Sequence, residues 1–523
     1  MSERATTPEQ HDPAATCGPG GADGDRDHLD VLIIGAGLSG IGAACHLRRR
    51  LPHLRVAILE ARDDLGGTWD LFRYPGIRSD SDMYTLGYRF RPWTDPDAIA
   101  DGDKILRYIR DTAREHGVDE CIRYRRRVVA LDFDRDEARW TATIERTDAG
   151  AVEHLTADFV YACTGYYRYD EGYTPDFAGT ERFAGRIVHP QHWPEDLDVT
   201  GRHVVVIGSG ATAVTLVPAL AEQATHVTML QRSPTYIASL PGRDPVAGLL
   251  QRLLPSRLAY VLARWKNVLV SSGFYRLSRR RPALVKRALR RQLARKVPAH
   301  VDLDAHFTPS YDPWDQRLCL VPDDDLFRAM RAGRVSVVTD TIEAFAEEGL
   351  ALGSGRRLAA DVIVTATGLN LLMLGGMRLR VDGEPVDIPR TVAYKGMMLS
   401  GVPNLAFAVG YTNASWTLKA DLVSDYVCRL LRHLQEHGYD TVTPVPPGDD
   451  VELRPLIDLE SGYVKRSLHE LPKQAARPPW QLHQNYVRDL ALLRRGDLDD
   501  EGVRFRRAPR PSTPSRTRRS DIA

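Results

Sequence analysis

Short runs of β-branched and aliphatic residues that stop at glycine organise the chain. The first is Asp30-Val31-Leu32-Ile33-Ile34, ending at Gly35; the second is His203-Val204-Val205-Val206-Ile207, ending at Gly208. Unbroken apolar runs of this length read as parallel strands covered on both faces. After the first run the pattern turns helical over residues 41–51 and returns to a strand over 55–59; the second run is followed in the same way by a strand over 225–230. Strand, Gly-rich turn, helix, strand thus occurs twice, which predicts an α/β fold with two Rossmann-like dinucleotide-binding domains. Further strands over 159–162 and 361–364 end at Cys163-Thr164-Gly165 and Thr365-Ala366-Thr367-Gly368, marking an exit from the first domain and a return to it. The expected division is a disordered leader (1–28), a first domain (29–165), a second domain (166–370), a return to the first domain (371–507) and a disordered basic tail (508–523). Leader and tail carry too few large apolar side chains to offset the entropy of ordering.

The two turns carry different chemistry. In Gly35-Ala36-Gly37-Leu38-Ser39-Gly40 the first glycine permits the tight turn. The second lets backbone approach a pyrophosphate, and the third lets helix and strand pack closely. The next strand ends in Glu60, about 20 residues beyond the last glycine, where a carboxylate binds a free ribose 2′-hydroxyl. FAD or NAD fits that site. The second turn, Gly208-Ser209-Gly210-Ala211-Thr212-Ala213 followed by Val214, replaces the third glycine with alanine. Its following strand ends in Gln231-Arg232-Ser233 with no carboxylate, so Arg232 is placed to pair a 2′-phosphate and the reading is NADPH. A solvated strand-end arginine is the plain alternative. Two such sites imply a flavin reduced by a nicotinamide.

Composition narrows the electron acceptor. The six cysteines (Cys17, Cys45, Cys121, Cys163, Cys319, Cys428) form no C-x-x-C pair and no metal-spaced cluster. Neither a redox disulfide relay nor a metal site is expected, and oxygen becomes the acceptor. Across 523 residues, 43% are hydrophobic and 27% charged, with a net charge of +1. That balance fits a multidomain globular chain and gives no global attraction to nucleic acid. There is no secretory signal and no apolar stretch of about 18 residues, so cytoplasmic location is the expectation. Residues 245–301 are the exception in charge, holding 14 Lys or Arg and no Asp or Glu. They read as a basic helical insertion with a solvated face, or else as a weak contact for anionic lipid or a partner.

Phe183-Ala184-Gly185-Arg186-Ile187-Val188-His189-Pro190-Gln191-His192-Trp193-Pro194 resembles the F-x-G-x-x-x-H-x-x-x-W-P fingerprint of type I Baeyer–Villiger flavoprotein monooxygenases. Gly66-Gly67-Thr68-Trp69 and Tyr74-Pro75-Gly76 with Asp80 are similar to that family's other fingerprint. Tyr311-Asp312-Pro313-Trp314-Asp315-Gln316-Arg317-Leu318 resembles its mycobacterial ethionamide-activating FAD-containing branch, as does the run from Gly410 through Trp416 to Asp421. The likeness spans residues 29–507.

The resemblance implies an NADPH- and O2-dependent oxygenation of ketones to esters or lactones through a flavin C4a-peroxide, with sulfides or thioamides as further substrates. An S- or N-oxygenating enzyme is the nearer alternative, and a nucleotide-binding or peripheral membrane protein without turnover the remoter one. It implies FAD contacts from Gly35, Gly37, Ser39, Gly40, Glu60, Thr68, Trp69, Asp70, Leu71, Asp80 and Val128. NADPH contacts fall to Arg78, Ser79, Asp80, Gly208, Ser209, Gly210, Ala211, Thr212, Ala213, Val214, Arg232 and Ser233. Arg317 maps to the active-site arginine, with Asp80 as its partner. A permanently charged guanidinium suits that role because it stabilises a peroxide anion and the oxyanion of the adduct. His189 reads as structural and conformational. Gln316 departs from the family, many of whose members carry lysine there, so the NADPH preference leans on Arg232.

Overall fold

The computed structural model describes residues 28–457 and 459–509. Most of the expected leader and tail therefore lie outside the described residues. His28 already belongs to the first strand, and Ala508 donates its N–H to the Asp440 carboxylate at 2.8 Å.

Two sheets carry the architecture. In the first, β1 (His28–Ile34) is followed by α1 (Leu38–Arg50) and β2 (Val56–Leu59). β1 lies between β2 and the strand Val152–Ala162, parallel to both. An antiparallel hairpin, Arg126–Asp134 with Arg139–Arg146, extends the sheet on one side. Late strands Arg378–Val381 and Leu405–Phe407 join it from the far end of the chain. In β1 side chains alternate between two cores, Val31 and Ile33 entering one and Leu32 and Ile34 the other. The second sheet is all parallel: Val335–Thr339, β4 (His226–Gln231), β3 (His203–Ile207), Val362–Thr365 and Arg186–Val188. The helix after β3 is α2 (Ala211–Leu220).

The helices begin where the glycines permit. α1 starts at Leu38 rather than near Ile41, because Gly37 is its N-cap and the turn closes within the motif. The two chain crossings between the sheets pair with each other as an antiparallel ribbon, Tyr167–Gly172 against Leu369–Leu371. His189 locks it. Its Nε2 donates to the Gly368 carbonyl (3.2 Å) and its Nδ1 accepts from the Gln191 N–H (3.2 Å), while a Cβ on Gly172 would lie 1.9 Å from its ring. Burial lowers the imidazole's pKa, consistent with a neutral structural ring.

The basic insertion forms α3 (Pro245–Leu253), α4 (Ser256–Arg280) and α5 (Pro282–Ala294). Sequence position puts it in the second domain, yet α4 packs Tyr260, Ala263 and Val268 into the core of the first. Buried Arg264 donates to the carbonyls of Tyr84 (2.8 Å) and Gly87 (2.7 Å) of that core. α5 instead packs Val285 and Leu289 against Tyr236 and Ala238 near the second sheet. Among the described residues no helix is long and apolar enough to cross a membrane. Cys121 is disulfide-bonded, which the scattered cysteine spacing did not suggest. Cys45, Cys163, Cys319 and Cys428 are buried thiols.

α1 is held to α6 (Trp416–His437) by buried charge. His46 Nε2 meets Asp421 and Nδ1 meets Asp425, each at 3.2 Å, and Arg50 (2.5 Å), Arg494 (2.9 Å) and Arg89 (3.0 Å) complete the Asp425 shell. Burial opposes each charge, but pairing outweighs it. His46 stays above its ordinary 6.5 through its hydrogen bonds to Asp421 and Asp425; Asp421 is held below 3.8, and Asp425 is lowered to about 2. Stability from His46 is therefore full below pH 6.5 and lost as pH rises through its raised folded value. Stability from Asp425 is full above pH 3.8 and lost as pH falls towards about 2. Thermal melts across pH should show both edges. His46→Gln should remove the alkaline edge and cost about 3–5 kcal/mol, since it removes the cation that bridges two buried carboxylates.

Candidate functional site

A cavity of about 390 Å³ lies between the two sheets, lined by Gly35, Gly37, Ser39, Glu60, Thr68, Trp69 and Val128 from the first unit. Ala211, Thr212, Thr215 and Arg317 from the second complete the wall, with Arg78, Ser79 and Asp80 between them.

The first motif is built for close approach. Gly35 has φ +100°, and a Cβ there would lie 2.7 Å from the Cys163 carbonyl oxygen. At Gly40 it would lie 1.8 Å from the Gly35 oxygen, so no larger residue fits without moving the turn. Glu60, 6% exposed, accepts the Ala36 N–H on Oε2 (2.8 Å) and the Arg62 N–H on Oε1 (2.9 Å), which leaves lone pairs on both oxygens for a ribose. Burial raises its pKa. Neither α1 nor α2 has a side-chain cap or an acidic residue in its first turn, whereas Asp244 and Asn485 cap other helices. Two bare helix N-termini, one at each glycine turn, fit the pyrophosphates of two dinucleotides.

Other predicted contacts separate into wall and support. Thr68 Oγ1 lies 3.2 Å from the Tyr169 hydroxyl on the wall. Asp70 does not line the cavity: its carboxylate is taken by Arg62 and Arg73, each at 2.6 Å, and Leu71 lies behind it. Ser79 spends its hydroxyl on the Ala100 N–H (3.1 Å), and Arg78 bridges to Asp325 (2.5 Å) at the edge of the second unit. In the second motif Gly208 has φ +134° against the Ala366 carbonyl, while Ala213 and Val214 are buried in the core. Gly208, Ser209, Gly210, Arg232 and Ser233 lie outside the main cavity wall. Ser209 Oγ donates to the Ser233 carbonyl (3.3 Å) and meets Thr235 Oγ1 (2.7 Å), which ties the turn to the exposed end of β4. Arg232 is exposed there, with no carboxylate partner among the described residues.

Arg317 and Asp80 come together on the wall: Nη1 donates to Oδ2 at 2.7 Å, with the side chains 31% and 51% exposed. Asp80 above all, then Tyr166, Tyr463 and Tyr167, hold the guanidinium's pKa well above the ordinary arginine value. The loop bearing Arg317 is pinned from the insertion by Arg279–Asp315 (2.5 Å) and Lys286–Asp312 (2.6 Å). Trp314 within it has φ +73°, an unfavourable backbone for a bulky residue that these contacts maintain. Sequence reasoning did not pick out Tyr166, Tyr167, Tyr169 or Tyr411 as site residues and gave Trp416 no specific contact, and all five line the cavity. Trp416 Nε1 donates to Ser39 Oγ at 2.7 Å. The aromatic run directly after Cys163-Thr164-Gly165 was a signal for the first three; nothing in the pattern marked Tyr463.

Gly40→Ala should purify without its first dinucleotide, read as loss of bound nucleotide per protein, because the added methyl meets backbone. Asp70→Asn should retain it, since that carboxylate holds arginines and not the wall.

Comparison with known proteins agrees with this geometry. Residues 29–373 match the FMO-like family, described as flavin-binding monooxygenase-like. The chain is 58% identical over 486 residues to the FAD-containing monooxygenase EthA of Mycobacterium tuberculosis, covering 93% of this chain and 99% of that protein. It is 48% identical over 482 residues to the probable FAD-binding monooxygenase AlmA of Acinetobacter baylyi, covering 91% and 96%. A steroid monooxygenase bound to NADP shares the fold with a TM-score of 0.70 at 21% identity, covering 92% of this chain and 100% of that one. OTEMO in complex with FAD and NADP shares it with a TM-score of 0.66 at 22% identity, covering 80% and 86%. The chain belongs to the flavin-binding monooxygenase-like family.

Proposed function

We propose that this flavin monooxygenase uses FAD, NADPH and O2 to convert ketones to esters or lactones, with sulfides and thioamides as further substrates. FAD is assigned to the first glycine turn and Glu60, in a domain made of 29–165 and 371–507; NADPH is assigned to the second turn and Arg232, in 166–370. The location is cytoplasmic and the substrate a small molecule.

The observation that carries the reading is the Arg317–Asp80 ion pair on the wall where elements of both turns meet. When bound and reduced by NADPH, FAD would supply the activated oxygen. Arg317 supplies a positive charge that no accessible pH removes. It faces the cavity, so it stabilises an anionic oxygen nucleophile and then the oxyanion formed when that oxygen adds to a carbonyl. Asp80 holds the guanidinium in place and leaves its other donors free. Tyr166, Tyr167 and Trp416 close the wall with apolar surface, which limits water around the developing charge. Sulfur accepts oxygen without passing through an oxyanion, so it needs this charge less.

Arg317→Ala should keep its FAD but lose ester formation from a medium-chain 2-ketone by about 10²–10³-fold. Mass spectrometry of the product reads the added oxygen. A sulfide tested beside it should lose less. Equal loss of both would return Arg317 to a binding role, and NADPH consumption with no oxygenated ketone in the parent enzyme would overturn the ketone reading. Arg232→Ala should raise KM for NADPH by about 10- to 100-fold and leave kcat and the KM for NADH little changed.

A further inference from the structure

Most of the large hydrophobic side chains that the described surface leaves exposed belong to the insertion. On α4, Leu258, Val261, Leu262, Trp265 and Leu269 recur at helical spacing on one face and are 38–60% exposed. The opposite face, with Ala259, Tyr260, Ala263 and Arg264, is the one buried against the core. α3 adds Leu249 (56% exposed) and Leu253 (70% exposed), one helix away. Continued along α4, the apolar stripe becomes Arg276 and Arg280. Exposed Arg252, Arg257 and Arg287 lie on the same three helices and Arg281 at the junction of α4 and α5, and none of these arginines makes an ion pair among the described residues. Other cations of the insertion, by contrast, are committed to Asp244, Asp312, Asp315 and Asp324.

We propose that the apolar stripe of α4, with the end of α3 beside it and the unpaired arginines around it, rests on an anionic lipid bilayer. The charge pattern selects this occupant. A second copy related by a twofold axis would set uncompensated arginines against their own kind, since 245–301 contains no Asp or Glu. A nucleic acid would answer the arginines but leave the leucines in water. An anionic membrane answers both: arginines reach phosphates at the headgroup level, while leucines and Trp265 enter the acyl boundary. The surface is a long amphipathic helix fixed to a folded body, so no ordering of the helix is required on binding.

Docking this way sets a helix that borders one of the enzyme's cavities against the bilayer. The C-terminal half of α4 lines a second cavity of about 280 Å³ through Val268, Ser271, Ser272 and Tyr275. Asn413 and Ala414 form part of its wall, and Ala414 also lines the main cavity. Docking itself does not depend on the ketone reading.

The test is co-sedimentation of the FAD-loaded enzyme with vesicles of phosphatidylcholine plus phosphatidylglycerol, against phosphatidylcholine alone. Binding should appear only with the anionic lipid and weaken with salt. Leu258→Glu/Leu262→Glu/Leu269→Glu changes only exposed positions; it should lower partitioning by about tenfold or more while flavin content and NADPH oxidation in solution persist. Brominated acyl chains should quench Trp265, and Trp265→Phe should remove that quenching while the protein still sediments. An enzyme that stays in the supernatant with anionic vesicles overturns the proposal. So does undiminished sedimentation of the triple variant. A triple variant that instead changes from dimer to monomer assigns the face to a second copy.

Discussion

The ion pair between Arg317 and Asp80 makes one site out of two nucleotide-binding units. Asp80 sits on a loop that leaves the first unit, and Arg317 precedes the strand Cys319–Pro322 beside the second. The loop's other residues commit it further. Arg78 reaches Asp325, Tyr74 packs into the second unit's core, and Gly76, with φ +75°, lies against Thr215 and Ala219 of α2. A segment of one unit is thus sewn to the other at the wall where the cofactor turns converge. The guanidinium of Arg317 is fixed by the same contacts that fix the distance between the units.

Electrostatic order elsewhere follows the same logic of full pairing. The imidazolium of His46 survives burial because two carboxylates hold it, and those carboxylates survive because three arginines surround the deeper one. Lys419 and Asp489, both 1% exposed, repeat the arrangement at 2.9 Å, with the Tyr411 hydroxyl donating to the same carboxylate at 2.7 Å. Tyr411 also lines the cavity, so the floor of the site stands on a buried ion pair.

The two glycine turns were legible in the sequence because their constraints are local: a positive φ or a backbone contact within a few residues leaves glycine as a fingerprint. Arg317 and Asp80 were legible only through resemblance, since nothing in their separate surroundings announces a pairing across 237 positions. Asp70 shows the limit. The resemblance implied a cofactor contact there, but a carboxylate's direction depends on which arginines the fold brings near, and here Arg62 and Arg73 hold it. The leucines of α4 show another limit. A stripe at helical spacing reads the same whether it meets a core or solvent, and only the packed structure tells that Ala263 faces inward and Leu262 does not. Long-range pairs such as His46 with Asp421 leave no pattern at all.

The crossings between the sheets form a single two-stranded ribbon, with one neutral imidazole wedged against Gly172 and bonded to the carbonyl of Gly368. Such a ribbon is stiff along its length, where hydrogen bonds and covalent chain share the load, and compliant across its plane. The ribbon therefore resists shear and separation of the two lobes, and the Asp80 loop and the helical insertion add restraint across its plane. His189, far from the chemistry, helps hold the two strands of that link together.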